Sequence, residues 1–317
     1  MWLAAAQQVP KVGNIDLYGL GKVSKERVLH ALKLHTGDSL PGSKGDMEDR
    51  VNEIPGVVAA RVEAVCCEGA DISLFIGIEE RGGPHVAFRS EPACNETLPE
   101  ELTAAYHEFA GAVQRGAAQG QADRVSLGYQ QRFAAFAEGH LDELRQVLRN
   151  AAESEERAVA AAVIGYAPNK LDVVNDLQYA IQDPDEFVRD NALRSLRAIA
   201  LLAVKQPRLG IRISPTWLIE LLNSLALSDR TQAVDVLITL TDTGDRAVLD
   251  QLRERALPSL VEMARWEALR YALPPFVLVG RLAGLSDEES QRSWSRGERE
   301  PVIDKALGRP PARQKKR

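Results

Sequence analysis

The sequence is poor in the groups that chemistry, metals and membranes require. It has five histidines among 317 residues and none after His140. His30 and His35 stand too far apart to share a helix face at i, i+4, and His85, His107 and His140 are isolated, so no metal centre or cofactor is expected. Three cysteines, Cys66, Cys67 and Cys94, have neither the number of a disulfide framework nor zinc-ligand spacing. Cys66 and Cys67 fall on an expected strand, where neighbours point to opposite faces, which disfavours a bridge between them; pairing of Cys67 with Cys94 stays open. No apolar run approaches the ~20 residues that cross a bilayer; the longest, Ala198 to Val204, belongs to an amphipathic helix. Positive charge is outnumbered, 39 Lys and Arg against 45 Asp and Glu. A net charge of -6 argues against nucleic acid as the main partner, because a phosphate-binding surface needs clustered Lys and Arg. The one basic cluster, Arg309, Arg313, Lys315, Lys316 and Arg317, lies beside Pro310 and Pro311 and reads as a solvated tail over 308–317.

What is present is the composition of a folded protein, 45% hydrophobic and 26% charged, at a length that suits two domains. Residues 1–10 stand apart. Met1-Trp2-Leu3-Ala4-Ala5-Ala6-Gln7-Gln8 looks like the end of a secretory signal, small residues after an apolar stretch, but without the positive start. Either the start lies upstream of Met1 or the likeness is accidental.

Residues 11–81 alternate in the manner of a small α/β module. Gly13 to Gly19 reads as a strand ending in a glycine turn. Ser24 caps a helix over Lys25–Leu34 that Gly37 ends, and a second helix follows Ser43 with Met47, Val51 and Ile54 on one face. Two strands then flank the turn Glu68-Gly69-Ala70-Asp71. Val58, Ala60, Val62, Ala64 and Cys66 point one way, Arg61 and Glu63 the other; Ile72, Leu74, Ile76 and Ile78 point inward, Ser73, Gly77 and Glu79 outward. The pattern predicts a sheet covered by two helices on one face and wet on the other.

The order strand, helix, helix, strand, strand, with Ile15-Asp16-Leu17-Tyr18-Gly19-Leu20, Ile54-Pro55-Gly56-Val57 and Ile76-Gly77-Ile78-Glu79-Glu80-Arg81, resembles a POTRA domain. That resemblance implies a place outside the cytoplasm and capture of a partner segment at an exposed sheet edge. Here the candidate edge is Val57, Ala59, Arg61, Glu63 and Val65. No membrane barrel accompanies it, so a transport role does not carry over.

The stretch 82–99, with Gly82-Gly83-Pro84, Pro92 and Pro99, reads as a linker. From 100 to 307 nearly everything is helical. Pairs are expected near 140–151 with 154–166, 170–182 with 184–204, and 215–227 with 229–241, followed by a less regular set from 246 to 284. Starts are marked at Leu98-Pro99-Glu100-Glu101, Asp183-Pro184, Ser214-Pro215, Asp229 with Gln232, and Ser286 with Glu289; Pro258, Pro274 and Pro275 are expected to break helices. The run from Asp183 through Phe187-Val188-Arg189 to Leu196 resembles a HEAT repeat, with Arg157 and Arg230 at the aligned positions of weaker copies. Pairs of this size must stack to bury their apolar faces. The resemblance implies a superhelical α-solenoid that binds protein without catalytic residues.

Thr36-Gly37-Asp38-Ser39-Leu40 carries the letters of the GDSL hydrolases, but no histidine downstream could complete a triad. Gly19-Leu20-Gly21-Lys22 lacks the spacing of a phosphate loop. Of the aromatic residues Tyr166, Tyr179, Trp217 and Trp266, most are expected in packing and one or two as exposed anchors. The sequence thus predicts a protein-binding scaffold at the cell envelope, a cytoplasmic adaptor being the alternative and a hydrolase using Ser39 the remote one.

Overall fold

The computed structural model describes residues 10–68, 71–118 and 122–309. The signal-like residues before Pro10, the hairpin tip at 69–70, residues 119–121, and the basic tail from Pro310 lie outside the described residues. The elements run β1 (Val12–Tyr18), α1 (Lys25–Leu32), α2 (Lys44–Asn52), β2 (Val57–Glu68) and β3 (Asp71–Glu80). They are followed by α3 (Glu100–Ala118), α4 (Ala122–Gly139), α5 (Leu141–Asn150), α6 (Ser154–Ile164), α7 (Lys170–Ala180) and α8 (Glu186–Lys205). The last are α9 (Thr216–Leu221), α10 (Leu227–Thr241), α11 (Arg246–Arg255), α12 (Leu257–Ala264), α13 (Leu269–Leu282), α14 (Asp287–Ser295) and α15 (Arg299–Ala306). A small three-stranded sheet therefore precedes a long series of helices. No described helix is long and apolar enough to cross a membrane.

Contacts gather the chain into two compact units. One holds the described residues of Met1–Val86, Ile219–Val234 and Arg246–Arg317; the other holds Ala87–Leu218 and Asp235–Asp245.

In the first unit the strand order is β1-β3-β2, with β1 parallel and β2 antiparallel to β3. Ser24 and Ser43 cap α1 and α2, their hydroxyls accepting from the amides of Arg27 and Asp46. Val28 and Leu32 of α1 and Met47 and Val51 of α2 pack on Ile15, Leu17, Val62, Leu74, Ile76 and Ile78. α1 stops at Leu32, not Leu34, because Lys33 turns into the left-handed region at φ 51° and donates back to Leu29.

The second face of the sheet corrects the expectation of a wet surface. Tyr18 and Phe75 are fully buried, and Asp16 and Ser73 nearly so. Trp266 and Tyr271 meet Phe75 edge-on at 5.1 and 5.0 Å, and Trp266 lies 5.8 Å from Tyr18. Polar groups on this face find backbone partners in later helices. The Tyr18 hydroxyl donates to the Leu225 carbonyl at 2.7 Å, and the Leu227 amide donates to Glu63 at 2.9 Å. Asp16 accepts from the amides of Glu267 and Ala268 at 2.7 and 2.9 Å. It thereby satisfies the start of α13, whose own cap residue Ala268 has no side-chain acceptor. Alternation reported only which residues were polar; distant helix ends supplied their partners. Gly77 is required in this packing, since a Cβ there would stand 2.6–2.8 Å from atoms of the Tyr18 ring.

The loop between β1 and α1 is held by two acids. Glu80 accepts from the amides of Gly21, Lys22 and Val23 at 2.7, 2.6 and 2.9 Å, and Glu262 accepts from Gly19 at 2.9 Å. Burial works to raise the Glu80 carboxyl, but the three amides outweigh it and hold it below the usual range. Burial prevails at Asp16 and Glu262, raising both.

The proline expectation also needs correction. Pro258 sits in the first turn of α12, where its missing amide costs nothing. Pro274 and Pro275 lie inside α13 without ending it. Packing of Ala272, Phe276, Val279 and Leu282 in the core holds the helix across them.

In the second unit α3 packs on α4, α5 on α6 and α7 on α8. The segment expected as a linker is held along much of its length. Arg89 donates through its amide to Gln182, Cys94 to Asn150, Ala152 back to Cys94, and Leu98 to Glu156. Cys94 is free and exposed, so it does not pair with Cys67, whereas Cys66 is disulfide-bonded.

Candidate functional site

The sequence signature around Arg189 acquires a physical meaning in the turns between paired helices. Arg157 lies four residues into the stretch that opens α6, and its Nη1 donates to the carbonyls of Ala151 and Ala152 at 2.9 and 2.8 Å. Arg189 reaches the carbonyls of Asp183 and Pro184 in the same way, both at 2.8 Å. In the first unit Arg230 reaches the Ser224 carbonyl at 2.6 Å. Each arginine closes the turn before its own helix, which explains why all three can be buried. Arg157 also grips Asp183 with two parallel bonds of 3.0 Å. Asp183 is therefore a ligand of the preceding pair rather than the expected helix start; Asp185 caps α8, accepting from Phe187 and Val188. Likewise Asp229 lies inside α10 and accepts from Ser224 at 2.6 Å, while Ser286 with Glu289 forms the expected capping box.

The candidate sheet edge falls on β2, which pairs only with β3 among the described strands. Val57, Ala59, Arg61, Glu63 and Val65 all lie on it, opposite Glu80, Glu79, Gly77, Phe75 and Ser73. The edge is partly occupied. The Val62 amide donates to Glu48 at 2.8 Å, so outward-pointing backbone groups belong to Val62 and, by alternation, to Ala60 and Ala64. Backbone groups of Arg61 and Glu63 face β3. Their side chains pair with each other at 2.8 Å, and Glu63 is further engaged by Leu227. Val58 at the start of the strand is 54% exposed.

A second surface is larger. α3, α4, α6 and α8 enclose a groove of about 830 Å³ lined by Tyr106, Phe109, Phe133, Tyr166 and Phe187, with Asn191, Arg194 and Ser195 among its polar groups. Its floor is built from rings in series. Phe109 meets Phe133 edge-on at 5.5 Å, and Phe133 lies 5.5 Å from Tyr166. Asn191 fixes the wall by donating to the Tyr106 hydroxyl at 2.8 Å and to the Ala158 carbonyl at 2.9 Å. Burial raises the hydroxyls of Tyr106 and Tyr166, keeping both protonated donors. Phe187 is 66% exposed, a large apolar ring left in water at the mouth of an apolar groove.

Of the aromatic residues marked in the sequence, Tyr166 lines this groove. Tyr179 is clamped between the guanidinium groups of Arg89 at 3.4 Å and Arg149 at 4.4 Å, and Trp266 is core. Sequence reasoning missed Phe187, although its position, two residues after the capping Asp185, places it outside the buried stripe of α8. It also missed the contribution of α3. Ser39 forms an isolated bridge with Lys11 on the surface, and its hydroxyl has no hydrogen-bond partner among the described residues. No group of three or more possible metal ligands occurs among the described residues.

No curated protein and no solved structure matches the chain. A family model described as HEAT repeats matches residues 141–209, the stretch that contains α5 through α8 and one wall of the aromatic groove.

Proposed function

We propose that this chain is a non-enzymatic scaffold that binds a partner protein in the groove between α3 and α8. The observation that carries the reading is the exposed Phe187 beside a ring-floored groove, set within helix pairs of HEAT type. Aromatic residues in concave, well-packed sites are the usual anchors of protein interfaces, and stacked helix pairs characteristically present such surfaces. A photo-crosslinking side chain at Phe187 is expected to yield a protein adduct in cells, whereas the same probe at exposed Leu209 is not. Equal labelling at both positions would overturn the reading. Phe187→Asp should abolish capture while shifting unfolding stability by no more than ~0.5 kcal/mol, as befits an exposed position.

A second attachment, strand addition at β2, is supported by the POTRA-like element order and by the edge position of the strand. Ala64→Pro removes an outward amide and should weaken this mode with the sheet intact. Arg61→Pro removes a ladder bond to β3 and should unfold the sheet instead. The reading sets the work outside the cytoplasm, from the signal-like residues Met1 to Gln8 and the POTRA-like order. Recovery of the full chain solely in the cytosolic fraction would favour the adaptor alternative.

A further inference from the structure

We infer that the first unit holds a binding site for a small neutral polyol, a molecule of monosaccharide size with neighbouring hydroxyls, in a cavity beside Arg230. The cavity measures about 460 Å³, inside the range of about 300–1,000 Å³ typical of small-ligand sites. All its walls belong to the first unit. One is the loop between β1 and α1, with Gly19 and Gly21; the helical side contributes Asn223, Ser259 and Glu262. Glu80 and Glu262 hold that loop through its amides, so the wall is formed without a ligand.

Arg230 points to the site. Arg157, at the equivalent turn, spends its three nitrogens on four bonds of 2.8–3.0 Å. Arg230 is as buried, at 3% exposed, yet it makes one close bond, from Nε to the Ser224 carbonyl at 2.6 Å. Its Nη1 stands 3.5 Å from Glu262, at the edge of hydrogen-bonding range, and its Nη2 donates to nothing among the described residues. Arg230 lines the cavity, and Nη2 is not sealed from solvent. A guanidinium so deeply placed with donors left over calls for an acceptor.

Charge excludes an ionic ligand, because every charged group on the cavity wall already has a partner. Arg230 faces Glu262, Arg265 holds Glu300 with two bonds, Lys25 lies 3.7 Å from Glu267, and Glu79 meets His85 at 3.0 Å. Asp16 and Glu80 are engaged by backbone amides. An added anion would meet the four carboxylates Asp16, Glu79, Glu80 and Glu262, and an added cation the buried Arg230. What remains is hydrogen-bonding capacity of both kinds. Arg230 Nη2 donates, as does Asn223 Nδ2, whose amide oxygen already takes the Ser259 hydroxyl at 2.7 Å. Glu262 Oε2, 3.5 Å from Arg230, accepts. A hydroxyl both donates and accepts, so two adjacent hydroxyls would bridge the acid and the guanidinium without breaking their pairing.

Saturation-transfer NMR on the full chain tests four neutral probes, D-glucose, D-galactose, D-mannose and myo-inositol, beside the charged analogues D-glucuronate and D-glucosamine. At least one neutral probe is expected to saturate with a Kd of about 5 mM or tighter, and the charged analogues to bind about tenfold more weakly. Ser259→Phe places a ring in the cavity from a half-buried position and should abolish the signal with Tm retained. Asn223→Ala should weaken the best neutral probe about threefold. Arg230 also closes its own turn, so replacing it would confound binding with folding; Glu262→Gln probes it instead. That variant keeps an oxygen for the Gly19 amide but removes the counter-charge of Arg230, and glucuronate should gain about fivefold in affinity. The inference is overturned if no neutral probe saturates by about 20 mM, if Ser259→Phe leaves binding unchanged, or if the wild-type chain prefers either charged analogue. Unaltered glucuronate affinity in Glu262→Gln would remove Arg230 from the site and overturn it as well.

Discussion

Replacing Arg157 with methionine tests whether the turn arginines hold the helix pairs together. Its side chain is 1% exposed and that of Asp183 is 0% exposed. The substitution removes two carboxylate bonds of 3.0 Å and two carbonyl bonds of 2.8–2.9 Å. Asp183 would retain the Asp185 amide at 3.0 Å and the more distant Arg89 at 3.4 Å, too little to compensate a buried charge. Breaking a buried pair in this manner costs about 3–5 kcal/mol, and the surviving Arg89 contact favours the lower end. A loss of about 3 kcal/mol corresponds to more than a hundredfold faster amide exchange across α5–α8, where exchange follows local opening. Adding Asp183→Asn removes the stranded charge, so the double variant should lose less than the two single variants together by about 1–2 kcal/mol. A single-variant loss below about 1 kcal/mol, the scale of a surface ion pair, would refute the reasoning.

Gly77→Ala forces a Cβ into the Tyr18 ring and should destabilise the first unit by about 1–3 kcal/mol, readable in thermal unfolding. Burial raises Asp16 and Glu262, so between the ordinary carboxylate range and their raised values the folded state binds more protons than the unfolded one. The stability contribution of these two groups therefore falls as pH climbs from about 4 through that window, and Asp16→Asn should flatten the dependence of Tm on pH. Glu80 works in the opposite sense on the acid side, its lowered carboxyl losing stability as falling pH protonates it, and Glu80→Gln should reduce the loss of Tm below about pH 4.

Local signals were legible where a single element decides the outcome. Ser24, Ser43 and Ser286 cap their helices as their spacing predicts, and the pairs α5–α6 and α7–α8 appear close to their expected limits. Misreadings share one cause: the deciding partner is remote in sequence. Asp183 looked like a cap because its buried partner, Arg157, belongs to the preceding pair. Glu63 and Ser73 looked solvated because nothing local reveals Leu227 or Trp266. The groove was hidden for the same reason, since Phe109, Phe133, Tyr166 and Phe187 come from three helices and the turn after α6 and share no motif. Phe187 was visible only as an apolar residue out of phase with its own helix.

The stitching of Asp16, Tyr18 and Phe75 to residues between Leu225 and Tyr271 has a consequence during synthesis. The ribosome releases the sheet some 150 residues before the helices that dry its second face. Until then a tyrosine and a phenylalanine stand in water on a half-finished surface. Nascent chains of this protein thus pass through a sticky interval, and a fragment cut after Val86 would remain in it permanently.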